Sequence, residues 1–305
     1  MKMRMILLAT GVALAAAVAQ TQAEVSIWDS IPSNRTAVIV VDVQVLQEAP
    51  AFKALEGGGY LRELDEGLKL FEDFTGFNVR RDLSLLVVGK LGEGKENDLA
   101  FFQGRFKQEE LIAAIKLAPD YDTSRHGDVT IHTWFDQNEN RQKYGAFLAD
   151  DLLVVGPEDG VKSAIDTRAN PSSSFGALPE VIRATKSLTH ELPLCAVSRT
   201  FGKPGNPFYH RVTSVLLTVD LKEGFTLNLA LEAKDGATAG ALRLFGNAII
   251  AMGKLANGKP ETQALAENAS ISQNGNTVVL STTVPNDKFT PWLLEQARVK
   301  AAKKQ

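Results

Sequence analysis

Residues 144–169, with the sequence YGAFLADDLLVVGPEDGVKSAIDTRA, carry the pattern on which the predicted fold depends. Two short apolar runs flank Asp150-Asp151, and these carboxylates suit a reverse turn because they can accept hydrogen bonds from nearby backbone amides. Gly156 ends the second run, and Pro157 suits the first position of a helix, where its missing N–H costs nothing. Apolar residues then recur at spacings of three and four. The stretch therefore predicts a tight β-hairpin followed by a helix.

The same pattern recurs about four times along the chain, which predicts an α+β fold with an internal repeat. Each half begins with a single apolar strand, at 37–46 in the first half and 192–200 in the second. Antiparallel sheets covered by helices follow from such units, and we expect the helices to lie on one face. The predicted hairpins span 83–106, 144–155, 212–234 and 268–284, and the helices after them span 107–118, 157–169, 236–256 and 285 onward.

The amino terminus predicts export. Residues 1–23 combine a basic start, an apolar core and small residues near Ala23, as in a signal peptide that is cleaved after Ala23. Its character is bacterial, so we expect a periplasmic or secreted protein. No later stretch is apolar enough to span a membrane. The mature chain is then divided into a first half, 24–170, and a second half, 171–305, at the turn-rich residues 170–174.

Charge and cysteine content narrow the classes of function. The chain has 305 residues and a net charge of −3, and loss of the leader, with two basic and no acidic residues, makes the charge −5. This balance argues against nucleic-acid binding, which needs a basic surface. The single cysteine, Cys195, cannot form an internal disulfide, and its apolar neighbours predict a buried structural residue.

No reaction-specific motif occurs in the chain. The four histidines, His126, His132, His190 and His210, have no metal-ligand spacing, and no nucleophile elbow or glycine-rich nucleotide fingerprint is present. We therefore assign no catalytic, cofactor-binding or metal-binding residue. These absences argue against an enzyme, although catalytic triads can be scattered along a chain.

Several features allow both a functional and a structural interpretation, and the structural one is favoured for each. Asp42 fits a solvent-facing strand position, and Asp150-Asp151 fits a turn rather than a metal site. His132 and Trp134 share one strand face and could line a pocket, or could be a packed tryptophan beside a histidine at the solvent edge. The remaining features are Arg80-Arg81-Asp82, as an anion clamp or a salt-bridged loop, and Lys300, Lys303 and Lys304, as a membrane contact or a solvated helix end.

A resemblance extends over most of the mature chain. Residues 75–89 (TGFNVRRDLSLLVVG), the strand at 100–106 and residues 144–156 resemble exported bacterial proteins of uncharacterised function. Those proteins pair an RDL-type loop with a later DD strand that ends in glycine. The resemblance implies export but no activity, cofactor or site.

Three hypotheses of function follow. The first is a non-enzymatic protein that binds a small-molecule ligand or a cell-envelope partner through an open sheet face. The second is a carrier of apolar molecules such as lipids, held in a cavity between sheet and helices. The third is a hydrolase with a scattered site, which would bring His126 or His132 close to Asp or Ser side chains.

Overall fold

The structure, a computed structural model, describes residues 26–92, 94, 96–137, 139–185, 192–202, 208–255 and 260–302, with backbone alone for 260–262. The predicted leader, residues 1–23, lies outside the described residues.

Antiparallel strands form one continuous sheet of twelve strands in this part of the chain. Its order is β11-β12-β10-β9-β8-β1-β2-β3-β7-β6-β5-β4. The strands are β1 (Ala37–Asp42), β2 (Leu83–Lys90), β3 (Leu99–Gly104), β4 (Asp122–His126), β5 (Val129–Asp136), β6 (Arg141–Ala149), β7 (Leu152–Gly156), β8 (Leu194–Ser198), β9 (Val212–Asp220), β10 (Gly224–Ala233), β11 (Ala269–Asn274) and β12 (Thr277–Pro285).

Helices follow or connect the strands, so the fold class is α+β as the sequence predicts. The α-helices are α1 (Val43–Glu48), α2 (Pro50–Gly57), α3 (Arg62–Thr75), α4 (Val79–Asp82), α5 (Gln108–Ile115), α6 (Glu158–Ala169), α7 (Pro179–Thr185), α8 (Gly236–Leu255), α9 (Pro260–Glu267) and α10 (Asn286–Ala302). None of the helices described is long and apolar enough to cross a membrane.

The predicted hairpin-plus-helix order is present. β6 and β7 pair with Tyr144 opposite Gly156, turn at Asp150-Asp151, and lead into α6. The same order of elements occurs in β2-β3-α5, β9-β10-α8 and β11-β12-α10. A duplication behind this order stays a prediction.

Strands from both predicted halves share the sheet. β1 lies between β2 and β8, and its Val38 is opposite Gly89 on one side and Val197 on the other. Val197 lies beyond the predicted boundary at 170. Strands from before and after that boundary are therefore hydrogen-bonded neighbours in one sheet.

Helices cover both faces of the sheet, whereas the sequence pattern predicted one covered face. The neighbours Ala230 and Leu231 of β10 point to opposite faces, as successive strand residues do. Ala230 packs against the cluster that holds Val161 of α6, and Leu231 packs with Leu242 of α8. A strand that is covered on both faces is expected to be apolar at successive positions. Polar residues at alternate positions of β10 therefore suggested a solvent-exposed face, although that face is covered as well.

Asp42 is the last residue of β1, and the predicted strand 37–46 is wrong beyond it. The Asp42 carboxylate accepts a hydrogen bond of 2.9 Å from the amide of Val45 and caps α1. Capping by aspartate outweighs the strand preference of the valines that follow. Asp42 is thus a helix cap and not a solvent-facing strand residue.

Two further differences concern polarity. β4 (DTSRH) was not predicted, since a polar strand at a sheet edge has no apolar pattern to reveal it.

In α8, the buried positions include Ala239, Leu242 and Gly246, while Ile249 and Met252 of the predicted core stripe are 47% and 62% exposed. Small residues face the sheet and let the helix lie close to it.

Candidate ligand-binding cavity

A cavity of about 730 Å³ lies between α3, α5 and one face of the sheet. Apolar side chains from both helices form its walls, and strands β3, β7, β6 and β5 form its floor. The side chains that line it include Phe71, Phe74, Leu111, Ile112, Ala114, Ile115, Phe102, Phe106, Phe147, Leu153, Val155, His132 and Trp134.

The floor follows from strand alternation and register. Phe102 of β3 is opposite Leu153 of β7, and Leu153 is opposite Phe147 of β6, so the three side chains share a face. Phe101, the neighbour of Phe102, is buried in the core on the other face. Of these two consecutive residues, Phe101 therefore packs in the main core and Phe102 lines the cavity.

One end of the cavity is aromatic. The rings of Phe77 and Phe106 stack with centroids 5.1 Å apart. Phe106 also meets Phe147 at 5.8 Å, and Phe77 meets Phe71 at 6.4 Å, both edge to face. These distances are typical of favourable ring pairs, so this end is a rigid apolar surface.

The cavity is open to solvent beside helix α3. Its apolar stripe is poorly buried, and Leu70 and Phe74 are 70% and 60% exposed. Leu117, which follows α5 and lines the same cavity, is 75% exposed. Large apolar side chains at this exposure normally mark a binding surface when they adjoin one another.

The opposite end is polar and centres on His132 of β5. Its Nδ1 lies 2.9 Å from the hydroxyl of Tyr121. Burial lowers the pKa of the His132 imidazole, and the positive charge of Lys116 lowers it further. Burial raises the pKa of the Tyr121 phenol, with Asp122 adding to the effect. At neutral pH the pair is therefore a neutral phenol beside a neutral imidazole.

Arg80, Arg81 and Asp82 lie elsewhere, in ion pairs, and Asp150-Asp151 form the predicted turn between β6 and β7. Arg80 binds Glu56 at 2.7 Å and also Asp65, while Arg81 binds Asp82 at 2.6 Å. A separate polar hollow of about 410 Å³ lies beside Asp82 and Asp151. The arrangement is the salt-bridged one, because carboxylates already accompany both arginines.

The other histidines do not assemble a recognisable catalytic group. His126 lies 2.7 Å from Asp166, and no serine or cysteine is hydrogen-bonded to His126 or His132 among the described residues. That part of the chain also holds no cluster of three or more His, Cys, Asp or Glu suited to a metal ion. His190, Lys303 and Lys304 lie outside it.

Cys195 is buried as predicted. Burial raises the pKa of its thiol to about 11, so little of it is thiolate at neutral pH. The residue is structural in this environment.

Comparisons with known proteins give distant similarities only. No family model matches the chain, and no curated protein does. Crystal form I of TP0453 has a TM-score of 0.48 and 9% identity, over 90% of this chain and 98% of that chain. Crystal form IV of TP0453 has a TM-score of 0.48 and 10% identity, over 89% and 95%. Similarity at this level carries no functional argument, and the resemblance noted in the sequence stays a prediction.

Proposed function

We propose that the protein binds an apolar molecule in the cavity between α3, α5 and the sheet, and acts as a carrier for it. The cavity itself supports this proposal: its volume of about 730 Å³ falls within the range of roughly 300–1,000 Å³ typical of ligand sites. Its lining is apolar apart from a few groups at one end, as in sites that bind lipophilic ligands.

Packing energetics also favour an occupant. Protein interiors are close-packed, and an empty apolar space forfeits the dispersion contacts of its lining. The exposed side chains of Phe74 and Leu117, which line the cavity, lie where a ligand would cover apolar surface. A bound apolar molecule would therefore remove unfavourable surface both inside the cavity and at its rim.

The face of β10 that carries the polar residues Asn228 and Glu232 is a weaker candidate for a binding surface. Asn228 accepts a 2.6 Å hydrogen bond from Ser281, and its amide donates at 3.5 Å to Thr218. Glu232 pairs with Arg183 at 2.9 Å. These side chains already bind one another, and a partner would have to replace those bonds with equally good ones.

The test is binding of the neutral fluorescent probe N-phenyl-1-naphthylamine to wild type and to two variants of α5. Ala114 is buried and faces the cavity, so Ala114→Phe should fill it and raise the Kd at least about tenfold. Ala113, its neighbour on the helix, is exposed and does not line the cavity. Ala113→Phe is therefore the matched control and should bind like wild type. Equal binding by all three proteins, or none by wild type, would contradict the proposal.

We also propose that the chain is exported and cleaved after Ala23. The composition of residues 1–23 supports this step. Amino-terminal sequencing of the protein from the cell envelope of its host should give Glu24 as the first residue. A mature chain that retains residues 1–23 in the cytoplasm would rule out the proposal.

A further inference from the structure

The polar end of the cavity points to the chemistry of the ligand. We propose that the ligand is a single acyl chain whose head carries a carbonyl oxygen, as a free carboxyl or an ester, and that Nε2–H of His132 donates a hydrogen bond to this oxygen. This inference rests on the proposed function, because it names the ligand class of the same cavity.

The hydrogen bond from Tyr121 sets the tautomer of His132. A phenol is a strong donor, and when its hydroxyl donates to Nδ1 the proton of the neutral imidazole must be on Nε2. The described residues provide no hydrogen-bond partner for Nε2. The imidazole therefore offers an N–H donor at the polar end of a mainly apolar cavity, and a ligand that supplies an acceptor there avoids leaving it unpaired.

The position of His132 defines the direction of the chain. β5 lies four strand spacings from β2 in the sheet order, which corresponds to about 19 Å across the cavity floor. Phe77 and Phe106 lie toward the β2 and β3 side. A head at His132 thus places the apolar chain across the floor and its end against the aromatic rings.

The neighbouring charges favour a small head. Lys116 is the cation whose charge acts on His132. Asp136 lines the same end of the cavity, and Asp122 acts on the Tyr121 phenol. Arg141 lies opposite Asp136 in the pairing of β5 with β6, so two cations accompany two carboxylates. These four groups carry no excess of positive charge to hold a dianionic head such as a phosphate monoester. A carboxyl or ester group needs only the one hydrogen bond.

The experiment compares dodecanoic acid, methyl dodecanoate and dodecane as competitors of N-phenyl-1-naphthylamine. It uses wild type, His132→Phe and, as a control outside the cavity, His210→Phe. The three ligands differ in hydrophobicity, so each ligand is compared with itself through the ratio of its Kd for the variant to its Kd for wild type. We expect His132→Phe to raise the Kd of the acid and of the ester about five- to tenfold, which corresponds to the loss of one hydrogen bond. The Kd of dodecane should stay unchanged. His210→Phe should leave all three unchanged.

A second measurement keeps the test independent of the folding of His132→Phe. In wild-type protein labelled with ¹⁵N-histidine, dodecanoic acid should shift the Nε2 resonance of His132, and dodecane should shift it much less. If His132→Phe raises the Kd of all three ligands equally, or if the Nε2 resonance does not shift, the assignment of the ligand's head group is overturned. The proposal that the cavity binds apolar molecules would remain. Failure of every ligand to bind wild type overturns the cavity function as well.

Discussion

Cys195 shows how the environment of a single residue controls its reactivity. Its side chain lies on the sheet between Val40 of β1 and Thr218 of β9, and it is buried. Thiol reagents attack the thiolate, which is scarce here because burial raises the thiol pKa to about 11. We expect 5,5′-dithiobis-(2-nitrobenzoic acid) to leave the native protein unmodified at pH 7 and to react with one thiol per chain in urea. Stoichiometric reaction within seconds under native conditions would show that Cys195 is accessible.

Asp82 is the carboxylate at the end of α4, the short helix between α3 and β2. Its carboxylate accepts hydrogen bonds from Arg81 at 2.6 Å and from the amide of Asn78 at 3.1 Å, and it lies 3.4 Å from Arg105. Its side chain is 11% exposed. Because charge-assisted hydrogen bonds are lost, Asp82→Asn should lower the free energy of unfolding by about 1–3 kcal/mol in urea at pH 7.

The pH dependence of this effect has a definite sign. Hydrogen bonding to Arg81 is the main cause that lowers the pKa of Asp82 from its ordinary value of 3.8. The stabilisation is therefore complete above that value and is lost as pH falls below it. The difference between wild type and Asp82→Asn should be constant above pH 5 and should shrink as the pH falls below 3.8. Asp73→Asn on the exposed surface of α3 is the control, and a similar loss there would assign the effect to general charge.

At the scale of elements, Gly104 fixes the approach of β3 to the loop before β2. A Cβ at this position would lie 2.2 Å from the carbonyl oxygen of Asp82 and 3.0 Å from the Cα of Leu83. Both are backbone atoms, and the amide of Arg105 donates to the same oxygen. We expect Gly104→Ala to lower the free energy of unfolding by about 2–3 kcal/mol, since the strand must move.

Gly67 of α3 is the contrasting glycine. A Cβ there would meet nothing within 4 Å. Gly67→Ala should therefore stabilise the protein by up to about 1 kcal/mol through helix propensity. Thermal unfolding of both variants measures the difference, and a stabilising Gly104→Ala would show that the loop before β2 can give way at little cost.

Local elements were predictable from the sequence where their causes are local. The β6-β7 hairpin and α6 follow from turn residues and spacing, and α2 ends at the first residue of Gly57-Gly58-Gly59, which separates it from α3. The end of β1 was missed because the carboxylate of Asp42 competes with a run of β-branched residues. The polar β4 was missed because pairing to β5, and not burial, holds it in place.

A cavity between sheet and helices was one hypothesis from the sequence, but the elements that enclose it could not be predicted from one sequence. His132 and Trp134 were expected to share a strand face, and they do. Nothing in the pattern shows that α3 and α5 stand off from that face, because this distance depends on which elements pack against each other.

At the scale of the whole molecule, one core joins the two predicted halves. Val38 and Val87 from the first half pack in the same buried cluster as Val181, Val197 and Leu216 from the second. β1 and β8, one strand from each half, are hydrogen-bonded neighbours. A chain divided at residue 170 would lose both the strand pairing and part of this core. The physical expectation is one cooperative unit and not two independent domains.

Two single-tryptophan variants test this expectation in urea, one retaining Trp134 in the first half and one retaining Trp292 in the second. Their fluorescence transitions should coincide. Val197→Ala removes buried volume at the junction and should lower both free energies of unfolding by about 2 kcal/mol. Val299→Ala, at an exposed site on α10, should change neither. If Val197→Ala moved only one of the two transitions, the halves would unfold separately, and the shared sheet would be a contact between two domains.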